Sequence, residues 1–280
     1  MLIMEPMPRK RVKTPFSISP SPTGLYLTPA LEAVIFRVRF TVDERQGFSV
    51  ILGEPGLGKT SVVRYLHSDY DASEDTLSIL IPSPSFKTEY AFLTHICTAA
   101  GIPMRRSAQA QQRELEGWLG EQYAADRNVV LFIDEAQNLT PGILELVRAL
   151  LNYETDESKL LQVVLAGQIE LRNKLLAPQQ KALYSRLVAP SVLSPLAPDE
   201  LSGMIEHRCK LRKIKNPFPA ESVERLYGLT GGIPRSTLRL CAIAFEMAKL
   251  ARMDTVSLDL IDTAYAEMQL ETDSEAEDEQ

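Results

Sequence analysis

Residues 47–70 read GFSVILGEPGLGKTSVVRYLHSDY. GFSVIL is a short apolar run of strand character, and SVVRYLHSDY can form a helix. Between them GEPGLGKT (53–60) fits the spacing G-x-x-x-x-G-K-[ST] at every fixed position. Strand, glycine-rich turn and helix in this order are the context in which that spacing holds a polyphosphate. The glycines let backbone N–H groups approach phosphate oxygens, Lys59 carries a point charge to the β- and γ-phosphates, and the Thr60 hydroxyl can complete a Mg²⁺ shell. The stretch predicts a nucleoside triphosphate site made of Gly53, Glu54, Pro55, Gly56, Leu57, Gly58, Lys59, Thr60 and Ser61.

Working outward, strands and helices alternate. TLSILIP (76–82) reads as a strand, TEYAFLTHICTAAG (88–101) as an amphipathic helix, and 109–126 as a second helical stretch. NVVLFIDEAQ (128–137) is a continuous apolar run typical of a strand buried on both faces. TPGILELVRALLNYE (140–154) comes next, with Thr140 suited to an N-cap and Pro141 to the first helical position. LLQVVLAGQ (160–168) is the next buried strand. This alternation predicts an α/β fold, a parallel sheet flanked by helices. After Pro195 the strand signal vanishes, and helices are expected near 198–213, 220–229, 234–252 and 257–270, punctuated by prolines and the Gly231–Gly232 pair. A small all-helical domain is therefore expected after the sheet domain.

VVLFIDE ends in Asp134 and Glu135, which places two carboxylates at the C-terminal edge of a buried parallel strand, where ligands bind in such sheets. Asp134 can hold Mg²⁺ opposite Thr60, and Glu135 can orient or deprotonate an attacking water. The plainer alternative, a polar strand end, loses force beside a phosphate loop.

Composition is that of a soluble globular chain, 45% apolar and 24% charged over 280 residues. No apolar run approaches a membrane span, so no membrane role is expected. Cys97, Cys209 and Cys241 form no C-x-x-C pair, which fits buried thiols in a reducing, cytoplasmic compartment. His67, His95 and His207 lack metal-ligand spacing. Net charge is −7, but the last ten residues, ETDSEAEDEQ, hold acids and no base, so the remaining chain is nearly neutral. Arg9, Lys10, Arg11 and Lys13 form a basic cluster at the other end. Both ends, 1–14 and 271–280, read as disordered tails, either solvating or partner-docking.

GEPGLGKT with VVLFIDEAQNL resembles the Walker A and Walker B pair of AAA+ ATPases. More narrowly, PFSISPSPTGLYLTPALEAVIFRV (15–38), DEAQNL and VVLAGQIEL (163–171) resemble the ExeA-like ATPases and the related TniB- and TnsC-like transposition regulators. The likeness runs over about 15–260 and implies a P-loop AAA+ domain at 15–195, a helical lid at 196–270, and Mg²⁺-dependent ATP hydrolysis. It implies that Gln168 is the sensor 1 residue, Arg186 an arginine finger acting on a neighbouring subunit, and Arg235 of GGIPR the sensor 2 arginine. By the same likeness Lys59 and Glu135 belong to the catalytic set, and Tyr26 and Leu27 line the base pocket. A surface ion pair is the alternative for Arg186, and a capping or solvent role for Arg235.

A finger in trans implies self-assembly into a hexameric ring or helical filament. ExeA-like secretion ATPases usually continue into a membrane segment and a peptidoglycan-binding module, and neither is expected within these 280 residues. A free cytoplasmic ATPase of the transposition kind, binding double-stranded DNA and recruiting a transposase, is therefore the expected role. An ATPase acting on protein partners, without nucleic acid, is the alternative. Lys87, Arg105 and Arg106 are the nearest candidates for DNA phosphate contacts, or else solvated loop residues.

Overall fold

The computed structural model describes residues 14–278; the basic cluster Arg9–Lys13 lies outside them. In chain order the elements are α1 (Pro29–Asp43), β1 (Phe48–Leu52), α2 (Lys59–Asp71), β2 (Thr76–Ile81), α3 (Glu89–Ala99), α4 (Ala108–Ala124), β3 (Asn128–Ile133), α5 (Pro141–Leu150), β4 (Gln162–Gly167), α6 (Ile169–Leu176), α7 (Lys181–Tyr184), β5 (Ala189–Val192), α8 (Pro198–Leu211), α9 (Ala220–Thr230), α10 (Pro234–Leu250) and α11 (Leu258–Asp278). The chain divides into two compact units, 20–195 and a helical unit formed by the residues from Leu196 onward together with the described residues 14–19.

The first unit is a five-stranded parallel sheet in the order β2-β3-β4-β1-β5. Parallel strands need crossovers, so each is followed by at least one helix, and both faces are covered. Accordingly β1, β3 and β4 are buried along their whole length, which is why they read as unbroken apolar runs. Phe48, Phe92, Leu119, Phe132 and Leu131 are among its fully buried side chains. The α/β fold expected from the alternation, a parallel sheet flanked by helices, is the fold found.

Local chemistry sets the helix starts. The side-chain oxygens of Thr28, Thr88, Ser107 and Thr140 each accept the backbone N–H three residues on, at the head of α1, α3, α4 and α5. Thr140 and Pro141 thus act as their types suggest. β5 and α6–α7 carried no clear signal. β5 is only four residues long and contains Pro190, whose missing N–H is tolerated because β5 lies at the sheet edge and pairs with β1 alone.

Registers set the ends of β1 and β4 level, Leu52 with Gly167, and those of β2 and β3 level, Ile81 with Ile133, while Ile133 stands beside Leu165, two residues before the end of β4. The segments leaving β1, β3 and β4 therefore meet at one edge. Gly53 N–H donates to Gly167 O at 3.3 Å and Asp134 N–H to Ile81 O at 2.9 Å, extending the ladders past the strands.

The helical unit packs α8–α11 with residues 14–19. Phe16 is fully buried there, edge-on to Phe218 and Phe245 with centroids 5.4 and 5.6 Å apart. That aromatic anchor places residues 14–19 with the helices, so the domain start drawn at residue 15 differs from the unit boundary. A second difference is α11, which continues to Asp278 through a segment whose charge predicted a disordered tail; its Glu and Ala residues are good helix formers.

Gly231 and Gly232 both have positive φ, +59° and +76°, and end α9. At Gly231 a Cβ would meet open space, whereas at Gly232 it would fall 2.2 Å from Leu196 O, the residue whose N–H donates to Gly232 O at 2.9 Å. Gly232→Ala is therefore expected to destabilise the protein by about 3 kcal/mol, against about 1 kcal/mol for Gly231→Ala. Urea unfolding of the two variants checks the order.

Candidate functional site

The turn after β1 is held open by backbone conformation. Gly56 and Gly58 have φ of +86° and +98°, values that side chains rarely adopt. Gly58 is the left-handed N-cap of α2, and Val62 N–H donates to its carbonyl at 3.0 Å to start the helix. At Gly53 a Cβ would sit 3.2 Å from Leu193 Cβ, so the turn lies close against the end of β5. The first turn of α2 leaves its N–H groups and the positive end of the helix dipole facing this loop, an arrangement that attracts phosphate. Lys59 is buried, 5% exposed, and its Nζ donates to Gly53 O at 2.7 Å and Glu54 O at 3.0 Å. Its charge is thereby fixed over the loop. Glu54 and Pro55 are exposed at the tip, Leu57 is buried beneath it, and Thr60 and Ser61 are half-buried on the first turn.

Across the edge, Asp134 leaves β3 2% exposed. Burial pushes its carboxyl above the usual carboxylate range, while hydrogen bonds from the Thr60 side chain and the Glu135 N–H pull it back. The Glu135 N–H reaches Asp134 Oδ1 at 2.9 Å. A carboxylate and a hydroxyl already in contact, in a place that disfavours bare negative charge, fit a hard divalent cation shared with phosphate oxygens. Glu135 adopts φ 50°, ψ 36°, left-handed and strained for a side chain with a Cβ. This bend turns the chain out of β3 into the short helical turn Ala136–Asn138.

One contact went unforeseen. Gln137 Nε2 donates to Glu135 Oε2, and Gln137 Oε1 accepts the Gln168 N–H at 3.2 Å. Gln168 thus stands at the end of β4 as the N-cap of α6, its main chain tied to the acid through one carboxamide. Lys174, on α6, donates to the carbonyls of Gln137 and Leu139, the latter at 3.0 Å. DEAQNL contained the signal, a polar residue two positions beyond the acid, but nothing in the linear sequence pairs it with β4.

The other predicted residues lie elsewhere. Tyr26 is half-buried and Leu27 is 39% exposed, in a segment tied to α2 by Arg64 Nη1 donating to Pro20 O at 3.2 Å. Arg186 Nη1 donates to Arg148 O at 2.9 Å and its Nη2 to Asn152 Oδ1, which docks it on the C-terminal end of α5, where carbonyls favour a cation. Arg235 is exposed at the second position of α10, in the helical unit. Lys87 and Arg106 lie at the surface. Arg105 holds Glu114 with Nε and Nη2 at 3.0 and 2.9 Å, so its charge is already matched.

Among the described residues, no helix is long and apolar enough to cross a membrane. Cys97, Cys209 and Cys241 are free and buried, and burial raises all three thiols.

The family profile described as AAA domain matches residues 42–175. General secretion pathway protein A of Aeromonas hydrophila is 35% identical over 230 residues, covering 81% of this chain. The chain spans only 42% of that relative's length. Among solved structures, Cdc6p from Pyrobaculum aerophilum superposes with a TM-score of 0.67 at 18% identity, covering 89% of this chain and 69% of that one. Aeropyrum pernix ORC1 in complex with DNA gives 0.66 at 18% identity, covering 91% and 69%. The Thermotoga maritima RuvB branch migration motor gives 0.57 at 19% identity, covering 83% and 67%. Likeness at such identity speaks for the fold alone.

Proposed function

Because the chain belongs to the AAA+ ATPases, with an AAA domain at 42–175 and ATP and Mg²⁺ as cofactors, we propose that it is an assembly factor whose copies join around bound ATP and separate after hydrolysis. The observation that carries the hydrolytic part is the convergence of Lys59, Thr60, Asp134 and Glu135 at the C-terminal edges of β1 and β3. Loop N–H groups and Lys59 hold the phosphates, with Glu54, Pro55, Leu57 and Ser61 completing the cradle. Thr60 and Asp134 hold Mg²⁺, which supplies charge neutralisation at the β- and γ-oxygens when bound. Glu135 accepts the proton of the attacking water.

Gln168 reports on the γ-phosphate, and Tyr26 with Leu27 borders the base. The helical unit is the lid, and Arg235 serves from it as sensor 2. A cation in the first turn of a helix opposes the helix dipole, which suits a residue used on an anion rather than one kept for stability. Arg186 completes a neighbour's site in trans. It is half-buried, on contacts to neutral acceptors that a partner's phosphate can outcompete, a charged acceptor making the stronger bond. Arg186→Ala should therefore keep ATP affinity and lose turnover about 1,000-fold, the scale of an arginine finger. Undiminished hydrolysis would remove this role.

Two observations bear on the assembly's target, and they point differently. The exposed cations Lys87 and Arg106 suit contacts to DNA phosphates, and so favour the reading in which a cytoplasmic regulator binds double-stranded DNA and recruits a transposase to it. The 35% identical secretion-pathway relative supports an ATPase acting on protein partners. Binding of labelled duplex DNA with ATP, with ADP and with neither, over a salt series, decides between them. ATP-dependent binding that falls steeply with salt supports the DNA role; no binding at low salt excludes it and leaves the protein-partner role.

A further inference from the structure

The contact between the two strand ends reaches further than the sequence pattern does. Gln168 N–H can only donate and an ionised Glu135 carboxylate can only accept, so a single orientation of the Gln137 carboxamide satisfies both. The amide is also housed. At Gly167 an added Cβ would meet Leu171 Cδ2 at 2.7 Å and Gln137 Oε1 at 3.0 Å, so the bare glycine leaves space at the end of β4 in which the Gln137 carboxamide sits. Lys174 fixes the main chain of the same turn from α6.

We propose that Gln137 is a positioning residue for hydrolysis, aiming the Glu135 carboxylate and locking it in register with the end of β4 that carries Gln168. This rests on the reading of Glu135 as the proton acceptor. The length and neutrality of the side chain both matter. Asn is one methylene too short to span the two partners. Glu keeps the acceptor toward Gln168 but sets a second negative group against Glu135 and drives the two apart.

The test uses the full chain with Gln137→Glu and Gln137→Met, each alone and combined with Glu135→Gln. Steady-state ATP hydrolysis gives kcat and KM, and titration with a non-hydrolysable ATP analogue gives affinity. Alone, each variant should lower kcat about ten- to a hundred-fold, the scale of a misaimed catalytic group, with analogue affinity within about two-fold of the parent. In the Glu135→Gln background neither should lower kcat further, because the group it aims is already gone. Should Gln137→Glu fail to fold, Gln137→Met, with matched length and no charge, carries the comparison. A kcat close to the parent's for the single variants, together with an inactive Glu135→Gln, overturns the positioning role alone. A loss of equal size in both backgrounds, or a matching loss of analogue affinity, overturns it too by making Gln137 a structural or binding residue. Parent-level turnover by Glu135→Gln itself overturns both readings.

Discussion

Glu135→Gln is expected to lower ATP turnover by about 100- to 10,000-fold, the range of a lost general base, while ATP remains bound. The substitution keeps the size of the side chain and its reach to Gln137, and it leaves Asp134, Thr60 and Lys59 untouched. Asp134 cannot replace the lost base. It is buried at 2% exposure, and its oxygens are engaged by the Thr60 side chain and the Glu135 N–H. With binding intact and cleavage stopped, the ATP-bound assembly should accumulate. Single-turnover hydrolysis measured beside sedimentation of the ATP-loaded protein reads both effects. Equal rates for the variant and the parent would falsify the assignment of the catalytic acid.

Lys59→Ala should behave in the opposite way, losing nucleotide before any chemistry begins. A charged hydrogen bond contributes about 2 kcal/mol, so ATP affinity should fall at least about thirty-fold. The loss is compounded because Lys59 Nζ also gathers the carbonyls of Gly53 and Glu54, and without it the loop is no longer held around its ligand. A ligand at a hundred times its dissociation constant stabilises a fold by about 2.7 kcal/mol. Saturating ATP should raise the melting temperature of the parent and leave that of Lys59→Ala nearly where it was. Unchanged melting of the two proteins without nucleotide separates lost binding from lost folding. An equal ATP-induced rise in both would show that Lys59 is not the anchor.

The parts of this site legible in the sequence are those whose chemistry is contiguous. Phosphate binding needs several N–H groups from one turn, so its glycines, lysine and threonine stand in one short unbroken stretch. β3 announces its carboxylates because a strand buried on both faces must be apolar until it emerges, and the emergence is at Asp134. Gln137 was unreadable for the reverse reason. Its partners are Glu135, two residues away, and Gln168, brought alongside by the pairing of β3 with β4, and no local pattern encodes that pairing. The contacts of Arg186 were hidden similarly, since Arg148 and Asn152 stand at the end of a helix distant in sequence. β5 escaped because a four-residue edge strand containing proline carries no periodicity. The anchoring of Phe16 among the helices and the extension of α11 were missed because composition near chain ends reports average polarity, not what one aromatic ring or a run of helix formers can do.

Glu135 sits where glycine would be at ease, and a left-handed backbone at a residue with a Cβ costs about 1 kcal/mol or more. Selection for durability alone would replace it, since Glu135→Gly relaxes the turn. The protein would then grow sturdier as it fell silent. Ageing or heat-challenge screens that score only folded yield should for that reason enrich inert variants at this position, and a search for robust active forms must look elsewhere in the chain.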